Sequence, residues 1–81
     1  MVRVLFLGRL EQAAGAPERA LDVAAPLELS RLIEGLDPAL REAVSAPSIR
    51  VALNGVLLSD PYGAMVGPGD EVAFLPPVSG G

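Results

Sequence analysis

No cysteine, no histidine and no lysine occurs among the 81 residues of this chain. The first two absences remove disulfides, thiolate nucleophiles, imidazole bases and the commonest zinc ligands together. Positive charge is also scarce, with six arginines against ten acidic residues and a net charge of −4. No basic run exists to neutralise a phosphate backbone, so nucleic acid is not expected as a partner. Long apolar runs are missing too: the stretch from Val2 to Leu7 carries Arg3 and is far too short for a signal sequence or a membrane span. The chain therefore reads as cytoplasmic, without membrane association.

The carboxylates do not fill the gap left by these absences. Glu11, Glu18, Glu28, Glu34 and Glu42 fall at ordinary solvated positions, and Asp70-Glu71 ends a turn ahead of a strand. Nothing in their spacing converges as metal ligands must. Gly67-Pro68-Gly69 lacks the strand-to-helix context of a phosphate loop. No metal site and no bound cofactor are expected.

What the chain does have is core material. Hydrophobic residues make up 51% and charged residues only 20%, far from the composition of disordered chains. One domain over 1–81 is the limit, since a chain this short buries only about 60% of its unfolded surface. The run Val2-Arg3-Val4-Leu5-Phe6-Leu7 reads as a strand. Leu10 to Ala14 can make a helical turn ended by Gly15, and after Ala16-Pro17 a weaker strand runs from Arg19 to Val23. Leu29, Leu32, Ile33 and Leu36 share one helix face, and Asp37-Pro38 opens a shorter helix with Leu40 and Val44, ended by Pro47. Ile49 to Leu53 alternates as a strand, and Asn54-Gly55 turns it back into Val56-Leu57-Leu58. Gly67-Pro68-Gly69-Asp70 suits a type II turn before a last strand, Glu71 to Leu75.

Strands at both ends of the chain around a central helix predict an α+β architecture with the first and last strands side by side. That is a β-grasp domain: a mixed sheet of about four to five strands packed on one main helix. With Val4, Phe6, Ile49, Val51, Val72 and Phe74 turned inward, alternation places Leu5, Leu7, Ala52, Ala73 and Leu75 on the opposite face, with Arg3 and Arg50 as its only charges. An exposed apolar face argues for a protein partner, with Leu57 added to the predicted contact residues. The alternative is that the loop 58–70 covers it.

The last six residues, Pro76-Pro77-Val78-Ser79-Gly80-Gly81, cannot continue the strand, because prolines lack donors and glycines lack packing. They are expected to project as a flexible tail which, at roughly 3.3 Å per residue, reaches about 20 Å, enough to enter another protein's channel. Gly80 and Gly81 lack Cβ atoms, so a narrow channel can close on their backbone with the terminal carboxylate at its end.

The Val4-Leu5-Phe6 strand, the Gly15 turn, Asn54-Gly55, the run Gly69-Asp70-Glu71-Val72-Ala73-Phe74 and the ending Pro76-Pro77-Val78-Ser79-Gly80-Gly81 together resemble the small subunits of molybdopterin synthases, within the ubiquitin-like sulfur carriers. The resemblance covers the whole chain and is most specific at its end. It implies a noncatalytic subunit of a sulfurtransferase. A ubiquitin-activating-type enzyme would adenylate Gly81 with ATP, and a persulfide donor would convert it to a thiocarboxylate. The segment would then enter the large synthase subunit, in a heterotetramer, and deliver sulfur to cyclic pyranopterin monophosphate to build the molybdopterin dithiolene. Gly81 and Gly80 would carry the chemistry, with Pro76, Pro77, Val78 and Ser79 joining the partner contact. Carriage of sulfur for thiamin or for thiolated tRNA bases, conjugation to lysines as a ubiquitin-like modifier, and a purely adaptor role remain open. The missing lysines are consistent with a chain that carries an acyl adenylate, but genome composition explains the same fact and is the preferred account.

Overall fold

The computed structural model describes residues 1–77. Strand β1 (Val2–Phe6) buries Val2, Val4 and Phe6 and turns Arg3 and Leu5 the other way, as a period of two requires. The same alternation organises β7 (Glu71–Leu75), where Val72 and Phe74 are buried. These two strands lie parallel, Val4 beside Val72 and Phe6 beside Phe74, and their phenyl rings stack with centroids 6.0 Å apart. Around them stand β2 (Glu18–Leu21), β4 (Arg50–Leu53) and β5 (Val56–Leu57), in the sheet order β2-β1-β7-β4-β5 with every other pair antiparallel. The first and last strands are therefore central neighbours, the β-grasp arrangement read from the sequence.

Three short helices cover one face: α1 (Leu10–Ala14), α2 (Leu29–Glu34) and α3 (Pro38–Val44). Leu10, Leu29, Leu32, Ile33, Leu40 and Val44 join the inward sheet residues in one core cluster. Leu36, placed by its spacing on the main helix, is buried just beyond the helix end, where its N–H reaches the Ile33 carbonyl at 3.0 Å. Asp37 stands at the N-cap of α3 and Pro38 follows, yet the Asp37 side chain makes no capping bond there.

The turns behave as their residues require. Asn54 and Gly55 both take positive φ, 50° and 84°, the geometry of a two-residue hairpin. The N–H of Asp70 donates to the Gly67 carbonyl at 3.0 Å across Pro68-Gly69, closing a type II turn. Two boundaries shift: the second strand is Glu18–Leu21 rather than 19–23, and the third begins at Arg50. One feature is new: β3 (Leu27–Glu28) pairs with β6 (Met65–Val66) in a two-stranded ladder at the start of α2. It sends Val66 into the core on the helix side, so the segment 58–70 is committed to that layer and leaves the opposite sheet face open.

Candidate functional site

The site is built at the C-terminal end of β7. Because β1 runs parallel to β7, both end on the same side of the sheet, and because β4 runs antiparallel, it begins there. Residue 76 therefore leaves the sheet from between the end of β1 and the start of β4. The Leu7 N–H donates to the Phe74 carbonyl at 3.2 Å, extending the parallel ladder to its limit. Gly8 then turns the chain with φ +55°, and a Cβ added to it would meet the Pro76 ring at 2.9 Å. The Pro76 ring occupies the place where any other residue at position 8 would put a side chain. Gly8, Arg9, Pro76 and Pro77 line a shallow groove of about 280 Å³ around this root. Pro76 is half-buried while Pro77 is exposed.

The open face of the sheet runs up to the same point. Cross-strand register aligns Glu18, Leu5, Ala73, Ala52 and Leu57 in one row over all five strands. Leu5 and Ala73 are half-buried, Ala52 is buried by its neighbours, and Leu57 at the edge is 64% exposed. Leu75, beside Arg50, and Leu7 extend the apolar surface toward the root. The expected contact residues Leu5, Leu57, Ala73 and Leu75 thus share one face, with Leu7, Pro76 and Pro77 at its end. Val78, Ser79, Gly80 and Gly81 lie outside the described residues.

Electrostatically the face differs from the sequence expectation in one respect. Arg3 and Arg50 are joined on it by Glu18 and Glu71, both of which pair with Arg3, the Glu18 contact at 3.4 Å. The spacing of Glu18 and Glu71 in sequence gave no hint that the register would place them on either side of Arg3. A second polar cluster holds the other end of β7. Asp70 accepts the Gly67 N–H at 2.8 Å and the Asn54 side-chain amide at 3.1 Å. Asn54 in turn accepts the Glu71 N–H at 2.9 Å. The Gly67 bond, then the Asn54 bond, holds the Asp70 carboxyl below its ordinary range. This cluster ties two turns together and stands a strand's length from the groove.

Among the described residues, no polar or charged residue is buried and no group of three potential metal ligands converges. No helix among the described residues is long and apolar enough to cross a membrane. Within those residues the site can offer apolar surface and charge. Gly8 and Arg9 were not anticipated as part of it; the only sequence signal was a glycine at the end of the first strand.

The model of the ThiS family matches residues 4–81. SAMP1, a small archaeal modifier protein from Haloferax volcanii, superposes with a TM-score of 0.81 at 28% identity, over 99% of this chain and 98% of its own. Molybdopterin-converting factor from Helicobacter pylori, solved as a complex of its subunits 1 and 2, gives 0.65 at 26% identity, over 99% of this chain and 97% of the matched one. The thiamine biosynthesis protein ThiS of Geobacter metallireducens gives 0.58 at 25%, over 98% and 99%.

Proposed function

This chain belongs to the ThiS family of ubiquitin-like sulfur carriers, and from that premise we propose that it is the sulfur-carrying small subunit of a molybdopterin synthase. The observation that carries the reading is the root geometry: the central strand β7 ends at Leu75 and Pro76 leaves one end of a sheet whose open face carries an apolar row, Leu5, Ala73, Ala52 and Leu57. A partner docked on the face would receive the segment in its active site. The solved complex of the two subunits of molybdopterin-converting factor supports a large subunit as that partner, as does the Pro76-Pro77-Val78-Ser79-Gly80-Gly81 ending.

In this reading a ubiquitin-activating-type enzyme joins the Gly81 carboxylate to AMP, releasing pyrophosphate from ATP. The terminal sulfur of a persulfide then attacks the acyl carbon and AMP departs. Reduction of the resulting S–S bond by a thiol leaves the thiocarboxylate. In the large subunit the sulfur passes to cyclic pyranopterin monophosphate, water restores the Gly81 carboxylate, and two rounds with fresh carrier give the dithiolene. The acid and base groups belong to the large subunit, and the carrier contributes reach and orientation.

The likeness to SAMP1 supports a second reading, in which the Gly81 carboxylate is conjugated to amines of other proteins. Reconstitution separates the two. The carrier is incubated with ATP, the adenylating enzyme of its own organism and a persulfide source, and its intact mass and C-terminal peptide are measured. Replacement of one oxygen by sulfur at Gly81, followed by pterin product when the large subunit is added, is the expected result. Sulfur on any residue before Gly80, or conjugates without pterin product, would overturn the synthase reading.

A further inference from the structure

Beyond the apolar face, the topology sorts the arginines of this chain. Arg3 is neutralised by Glu18 and Glu71. Arg19 is spent inside the fold, donating to the Ala14 carbonyl at 2.6 Å with its guanidinium 5.9 Å from the Phe6 ring centre. Arg41 donates to the Glu34 carbonyl at 3.3 Å. Arg9, Arg31 and Arg50 are exposed and make no ion pair among the described residues; Arg31 lies on α2 in the helix layer, and Arg9 and Arg50 differ from it in where they stand. Arg9 follows the end of β1 and lines the groove with Gly8, Pro76 and Pro77. Arg50 opens β4 directly opposite Leu75, the last residue of β7. The two neighbours of β7 thus each place one cation at the point where the chain leaves the sheet, in a protein whose net charge is −4.

We propose that Arg9 and Arg50 form a cationic clasp at the root of the C-terminal segment, beside Leu75 and Pro76, and that this clasp seats on carboxylates rimming the channel by which the adenylating enzyme takes the segment up. The proposal rests on the carrier reading above and assigns the chemistry of the partner's entrance. Arginine suits carboxylate or phosphate, since its planar fork matches both, and reach separates them. Gly81 lies five residues beyond Pro76, so a segment drawn out at 3.3 Å per residue carries its terminal carbon roughly 16 Å from the root. Nucleotide phosphates at Gly81 are then beyond either side chain, whereas carboxylates at the channel mouth are beside both. The clasp is also continuous with the open face through Leu75, so one partner surface can cover apolar row and cations together. Charges at the margin of such an interface steer encounter and fix register.

The test is calorimetry of the whole chain against the adenylating enzyme of its own organism, without ATP, with Gly81 sulfur loading measured on the same preparations. Arg9→Glu with Arg50→Glu is expected to weaken binding about tenfold or more, with a gap that narrows as salt rises. Arg31→Glu, on the helix layer away from the open face, is the control and is expected to bind as wild type. Equal affinity for the double variant, or an equal loss in Arg31→Glu, would overturn the clasp. The two readings fail separately. A carrier that is thiolated but indifferent to the reversal keeps its function and loses the clasp. One whose binding depends on the clasp but which never acquires sulfur keeps the clasp and loses the carrier role.

Discussion

Asp70 and Gly8 mark the two ends of the strand that aims the site, and each can be tested by a single change. The Asp70 carboxylate is held below its ordinary range by the Gly67 N–H and then by the Asn54 amide. A folded-state value below the unfolded one means that the unfolded chain takes up the proton first. The contribution to stability is therefore complete above the ordinary value near 3.9 and is lost as pH falls below it through the depressed value. Asp70→Asn is expected to flatten that acid limb; denaturation midpoints for both proteins between neutral pH and strong acid would measure it, and parallel curves would contradict it. At the other end, Gly8 and Gly15 both have positive φ, but only Gly8 has a neighbour where a Cβ would stand. Alanine at either position should cost about 1 to 2 kcal/mol for the left-handed backbone. Gly8→Ala should cost more than Gly15→Ala by whatever is needed to move the Pro76 ring, and urea unfolding of the pair isolates that contact.

At the scale of elements, β7 carries two surfaces whose separation can be measured. Phe74 is fully buried and stacks on Phe6, so Phe74→Ala should lose about 3 to 5 kcal/mol of stability. Leu75, one residue on, lies on the open face beside Arg50. Leu75→Glu should leave the fold intact and weaken the large-subunit complex. Burial of a leucine contributes about 1.5 to 3 kcal/mol, before any cost of burying the new charge. Calorimetry and urea unfolding of the two variants should give opposite patterns, and unfolding of Leu75→Glu would refute the face assignment. That assignment was legible in the sequence because a period of two forces every second side chain of Glu71–Leu75 to one face, and Phe74 fixes which. Helix α2 was legible for the same kind of reason, the Leu29, Leu32, Ile33 spacing, although Leu36, which continues that spacing, is buried beyond the helix end. The β3–β6 ladder was not, because two-residue strands have no periodicity to read and Leu27–Glu28 pairs with Met65–Val66 across a long separation in sequence. The root of the site was half legible: the prolines and glycines announced where the strand ends, but Gly8 and Arg9 come within range of Pro76 only through the parallel β1–β7 pairing.

For the molecule as a whole, the proposed function divides recognition, on the sheet, from chemistry, at the C-terminal segment. The open face, the arginines beside the root and Pro76-Pro77 offer a partner a surface that does not depend on how many residues follow. The proposed reaction, by contrast, depends on where the last carbon lies. Deleting Gly81, or adding one residue after it, moves the reactive end about 3.3 Å along an extended segment, and a misplacement of only 1 Å can cost roughly 100-fold in rate. Either change is therefore expected to abolish sulfur delivery from a chemically thiolated carrier while leaving affinity for the large subunit nearly unaltered. Gly80→Ala should be milder, because it keeps the length and adds one methyl in a channel shaped for bare backbone. The measurements are pterin product formation and complex affinity on the same proteins. A truncated carrier that delivered sulfur at the normal rate would remove Gly81 from the mechanism. One that lost binding together with delivery would put recognition in the terminal residues and not in the sheet.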